Sequence, residues 1–115
     1  MNTRQKGNKG EEKAVEYLLE KGYKIISQNY QSRKGEIDCI AEAEDGTLVF
    51  IEVKAGLNPG MGHPFHRINR NKQRKIIIMA KMYLKEHSIL DRPCRFDAIA
   101  VINNKVEHLR NAFII

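Results

Sequence analysis

Apolar residues recur at two spacings along this chain of 115 residues, and the spacing changes from segment to segment. Between Glu11 and Lys21, Val15 and Leu18 with Ala14 alongside form an inward stripe, and Glu12, Glu16 and Glu20 an outer acidic row. That pattern predicts a helix, stopped by Gly22. Ile76, Ile77, Ala80, Tyr83 and Leu84 repeat at three-to-four spacing and predict a second helix over Asn69–Glu86. Segments rich in β-branched and aromatic residues predict strands at Tyr23–Tyr30, Glu36–Ala43, Leu48–Ala55 and Arg95–Ile102, with a short one around Val106–Leu109. Turns are expected at Arg33–Gly35, at the Glu-Asp-Gly-Thr hairpin signal of residues 44–47, and at Asn103–Asn104. Gly56–Ile68 holds three glycines, two prolines and no periodicity, as expected of a functional or mobile loop. The order α-β-β-β-α-β, its last element a strand or hairpin, predicts a single α/β domain in about three layers.

The longest apolar runs, Ile76–Ala80 and Ala98–Ile102, are five residues each, far short of the about 20 that span a membrane. Met1–Gly10 is polar and basic with no apolar stretch behind it, unlike a secretory signal. Cys39 and Cys94 lie far apart and form no CxxC pair, so both read as core residues of a reduced, cytoplasmic protein. The net charge of +6 changes the picture through its distribution. From Ala55 to Lys85 there are seven basic residues (Arg67, Arg70, Lys72, Arg74, Lys75, Lys81, Lys85) and no acid, which points to a polyanionic partner.

The candidate chemistry begins on Leu48–Ala55. In a strand, Val49, Ile51, Val53 and Ala55 share one apolar face, while Leu48, Phe50, Glu52 and Lys54 share a face that ends in two opposite charges. An isolated Glu-x-Lys reads as a salt-bridged strand end. Asp38 changes that reading: thirteen residues separate it from Glu52, and a turn near residues 45–46 returns the two to nearly the same register. Two adjacent carboxylates repel, and burying them is costly without a neutralising cation. Mg²⁺ suits such oxygens and keeps several waters. Lys54 could then polarise water or steady a phosphate's charge.

Gly35-Glu36-Ile37-Asp38 followed by Phe50-Ile51-Glu52-Val53-Lys54 resembles the PD-(D/E)xK nuclease signature. The resemblance is closer still to the small YraN-type proteins, themselves similar to archaeal Holliday junction resolvases. It extends through Gly7-x-x-Gly10-Glu11-x-x-Ala14, Lys72-Gln73, Arg95-Phe96-Asp97 and Asn111-Ala112-Phe113. It implies a restriction-endonuclease-like core of mixed β-sheet flanked by helices, and hydrolysis of DNA phosphodiester bonds with Mg²⁺ or Mn²⁺, on branched or structured DNA by analogy with the resolvases. Asp38 and Glu52 would hold the metal, and Asp38, Glu52, Lys54 and Glu11 would form the catalytic set. The chain departs from the pattern at Ala55-Gly56, where relatives carry an arginine soon after the lysine; Arg67 or Arg70 could substitute.

Glu11 falls on the inward stripe of its helix, where it lines the site or serves as a helix-N-terminal acid favoured by the macrodipole. Gln73 heads the inward face of the second helix, near the phosphate or in a solvated first turn. Arg67, Arg70, Lys72, Gln73, Arg74 and Lys75 are the expected nucleic-acid contacts, read through the backbone. His63 and His66 lack a second pair for a zinc site, Glu36 reads as a strand-edge acid, and Asp97 as structural. The competing function is a nucleic-acid-binding module of the same fold without turnover, and whether the chain works as a homodimer is left open.

Overall fold

The computed structural model describes residues 9–56 and 62–114. Helix α1 (Lys9–Glu20) leads into strands β1 (Lys24–Ser32), β2 (Gly35–Glu42) and β3 (Leu48–Ala55). A 3₁₀ turn (Pro64–Arg67) and helix α2 (Arg70–Glu86) carry the chain to β4 (Cys94–Ile102) and β5 (Lys105–Phe113). The five strands lie in sequence order, with β3 and β4 parallel and every other neighbouring pair antiparallel. This is a mixed sheet in an α/β fold, as expected. No helix among the described residues is long and apolar enough to cross a membrane.

The alternation in β3 separates two cores. Leu48 and Phe50 pack with Ile76, Met79, Ala80 and Tyr83 of α2, whereas Val49 and Ile51 pack with Ala14 and Leu18 of α1. The sheet is thus the middle of three layers, and its most hydrophobic strand is covered on both sides. Asn69 begins α2 by accepting a hydrogen bond from the Lys72 N–H at 2.9 Å, the usual way to satisfy a helix's first donors.

Two expectations change. The stretch expected as a loop over Gly56–Ile68 contains the 3₁₀ turn, which His63 caps by accepting from Phe65 N; residues 57–61 lie outside the described residues. The last strand runs to Phe113 instead of stopping at Leu109. Its pattern was hidden by a bulge opposite Phe96 and Ala98, where Asn111 takes a left-handed φ of 51°. Beyond the bulge Phe113 stacks on Phe96, ring centroids 4.9 Å apart.

Asp97 secures that bulge. It is wholly buried and is bonded by Arg95 Nε at 3.1 Å, His108 Nε2 at 2.7 Å and the Asn111 N–H at 3.1 Å. Burial works to raise the Asp97 carboxyl, but the bonds from His108, Arg95 and Asn111 outweigh it and hold it below the ordinary value. A carboxylate depressed in the folded state adds stability above its unfolded pKa of about 3.9 and loses it as pH falls through the folded value. Asp97→Asn should cost about 2–3 kcal/mol at neutral pH, a charge-assisted bond's worth. In thermal melts from pH 7 into acid, the gap between the variant and the parent should close below about pH 4.

Candidate active site

The site forms where β2 and β3 part. Their ladder runs from Glu42–Leu48 to Cys39–Ile51. At the next position Asp38 turns its side chain into the sheet, and Oδ2 accepts the Val53 N–H at 2.7 Å. On the other side, Asn29 sits between the paired Gln28–Cys39 and Tyr30–Ile37 but has a left-handed φ of 54° and makes no ladder pair. The backbone therefore loosens around Asp38 on both sides, and its carboxyl takes the place of a strand carbonyl.

Glu52 follows Phe50 on the α2 face and is only 2% exposed. Its Oε2 lies 3.4 Å from Lys54 Nζ and 3.2 Å from Lys72 Nζ. Its Oε1 is buried with no protein donor among the described residues. The Asp38 carboxyl is pushed up to about 8 by burial, then by the charge of Glu52 and a hydrogen bond with it, with Glu11 adding to the same effect; the Val53 N–H opposes them. Glu11 is brought close by Gly10, where a Cβ would come within 2.5 Å of the Ala55 Cβ. Only a residue without a side chain lets the first turn of α1 press on the end of β3. Burial, with the charges of Asp38 and Glu11, pushes the neighbouring Cys39 thiol up to about 12, which leaves it an inert core residue.

These groups fit a hard divalent cation. Two facing carboxyls, one retaining a proton near neutrality and the other with an oxygen lacking a donor, offer oxygen ligands whose mutual repulsion a cation would remove. Among the described residues no three His, Cys, Asp or Glu side chains are grouped to hold a metal ion. The protein's share of such a site is then the Asp38–Glu52 pair, within the one or two carboxylates typical of Mg²⁺.

Lys72 joins this pair to a cleft of about 620 Å³ between the β1–β2 turn and the start of α2. Arg33 and Lys34 line one wall, Arg67, Lys72 and Lys75 the other, and Glu36 is the one carboxylate among the lining residues. Gln31 Nε2 bonds Glu36 at 2.9 Å. Arg67 donates to the carbonyls of Ala55 and Gly56 at 3.2 and 3.0 Å. A guanidinium thus stands at the end of β3, beside Ala55 and Gly56.

Of the expected contacts, Arg67, Lys72 and Lys75 reach the cleft, while Arg70 and Arg74 are exposed and not among its lining residues. Gln73 turns away: its Nε2 donates to the Ile68 carbonyl at 3.0 Å, anchoring the 3₁₀ turn. His63 pairs with Glu107 at 2.6 Å. The sequence reading missed Arg33 and Lys34, and it missed the contact of Lys72 with Glu52. Two adjacent cations in a tight turn were the available signal, but which helix faces that turn is a tertiary fact.

The chain is thus an α/β domain with a buried carboxylate pair at the edge of a basic cleft. It belongs to the uncharacterised protein family UPF0102, which its residues 10–101 match. A UPF0102 protein of Persephonella marina is 47% identical over 94% of this chain and 92% of its own length. One of Clostridioides difficile is 42% identical, covering 98% and 100%. Looser likenesses are to a chain of an EndoMS–dsDNA complex (15% identical, TM-score 0.42, 81% of this chain and 34% of that one) and to Pyrococcus furiosus SfsA with Ca²⁺ (14%, 0.37, 99% and 66%).

Asp38→Asn removes the repulsion while leaving an oxygen for the Val53 N–H. The cation-free variant should be more stable than the parent by on the order of 1 kcal/mol, or about 4–8 °C in Tm. It should also lose most of the Tm rise that millimolar Mg²⁺ or Mn²⁺ gives the parent. Paired melts with metal and with EDTA check both.

Proposed function

We propose that the protein is a divalent-metal-dependent endonuclease that hydrolyses DNA phosphodiester bonds. The observation that carries this reading is the buried Asp38–Glu52 pair, contacted by two lysines and opening onto a basic cleft. A binding module would need the cleft but gain nothing from two carboxyls held together out of water. Asp38 and Glu52 would hold Mg²⁺ or Mn²⁺, which when bound supplies a water of lowered pKa and positive charge at the phosphate.

Lys54 and Lys72 divide the remaining work. Each reaches Glu52 Oε2, and each ammonium has further protons to offer a phosphate oxygen. Lys54 lies on the strand beside the carboxylates, suited to stabilise charge that grows as the P–O bond breaks. Lys72 lies at the cleft mouth, suited to draw the backbone toward them. Arg67, clamped on the end of β3, keeps one N–H fork near the same place.

Linear, nicked, flapped and four-way DNA incubated with Mg²⁺, Mn²⁺ or EDTA tests the reading: at least one substrate should be cut with metal and none with EDTA. Lys54→Ala should slow cleavage at least 10²-fold, the loss typical of removing one transition-state donor, while DNA binding stays near the parent's. Failure to cut any substrate with either metal, or near-parental rates in Lys54→Ala, would overturn the assignment.

A further inference from the structure

The cleft has features that a duplex-binding surface does not need. Its cations face one another across a notch: Arg33 and Lys34 on the β1–β2 turn, and Arg67, Lys72 and Lys75 on the other side. At the floor Gly35 lies close to α2: a Cβ there would come within 3.9 Å of both Lys75 Cβ and Met79 Cγ. The turn is also held in place. Ser32 Oγ donates to Met79 Sδ at 2.9 Å and accepts the Lys34 N–H at 2.9 Å. Gly35 has the positive φ (146°) that the chain reversal requires. The backbone that carries Arg33 and Lys34 is thus held against α2, and the one carboxylate among the lining residues, Glu36, is already engaged by Gln31.

A duplex backbone shows a protein one side only, because its bases and the complementary strand occupy the other. A single strand can be gripped from both sides. The cleft measures about 620 Å³, in the range of sites that take small ligands. Among the described residues no aromatic side chain lines it, so they offer no base-stacking platform, the usual aid to single-strand binding, and the grip falls on phosphates.

We propose that the notch between the β1–β2 turn and α2 holds a single-stranded polynucleotide arm, with Arg33 and Lys34 gripping its phosphates opposite Arg67, Lys72 and Lys75. The proposal rests on the nuclease reading for its meaning: Lys72 spans notch and carboxylates, so the arm leads straight to the cut. The substrate is then nucleic acid with a single-stranded extension beside the scissile bond. Arg33 and Lys34 are exposed turn residues, and replacing them leaves the core untouched.

The test needs no metal and no cleavage. Binding of labelled oligothymidylate, oligouridylate and a DNA duplex of equal length is followed by anisotropy in EDTA across a salt series. The parent should bind both single strands alike, since phosphates are held. The Arg33→Ala/Lys34→Ala variant should lower the logarithmic salt slope for single strands by about 1.4, roughly 0.7 for each contact, and leave duplex binding much less affected. Lys24→Ala/Lys105→Ala, which removes equal charge from exposed positions elsewhere, should leave the slope unchanged. An unchanged slope in the turn variant, an equal loss in the control, an equal loss on duplex, or binding of only one of the two single strands would each overturn the proposal. A parent that binds the single strands in this way but neither cuts DNA nor responds to Mg²⁺ or Mn²⁺ would sink the nuclease reading alone.

Discussion

The cost of keeping two carboxyl groups together away from water governs the arrangement around them. Asp38 and Glu52 meet where β2 separates from β3, and each neighbouring element lowers that cost or exploits it. The Val53 N–H stabilises the Asp38 carboxylate, and Lys54 and Lys72 lie on one oxygen of Glu52. Even so, Asp38 stays a weak acid, pushed up to about 8 by burial and by Glu52. Such a group destabilises the fold unless a cation takes the proton's place, and strain of this kind is a mark of functional sites.

Asp97 supplies the contrast. It is as fully enclosed as any residue in the core, yet its carboxyl is held below the ordinary value because three donors converge on it. The two acids differ in what surrounds them: donors around Asp97, other carboxylates around Asp38. The first arrangement secures the β4–β5 bulge; the second leaves a site poised for positive charge.

The parallel pairing of β3 and β4 explains why so many cations gather at one end. A helix linking parallel strands must start near the end of the first and return to the beginning of the next. That places the first turn of α2 beside the charged end of β3, where α/β proteins commonly bind ligands. The same helix buries Ile76, Met79 and Tyr83 against Phe50, so the packing that stabilises the fold also fixes Lys72 on Glu52.

Periodicity by itself determined the elements, because side-chain alternation and helical repeats are local properties. Leu48–Ala55 was legible to the residue, its two faces were assigned correctly, and the helix over Asn69–Glu86 differed only by its cap residue. The closeness of Asp38 and Glu52 was legible too, since one hairpin connects them. What lay beyond local reach went unread. The extension of β5 to Phe113 depends on a bulge held by Asp97. The turn of Gln73 toward Ile68 depends on where the 3₁₀ segment lies. The pairing of Arg33 and Lys34 with α2 across a cleft depends on a contact between segments about forty residues apart. Spacing along the chain reports which face a residue shares with its neighbours; only the packing of sheet against helix decides what stands across from it.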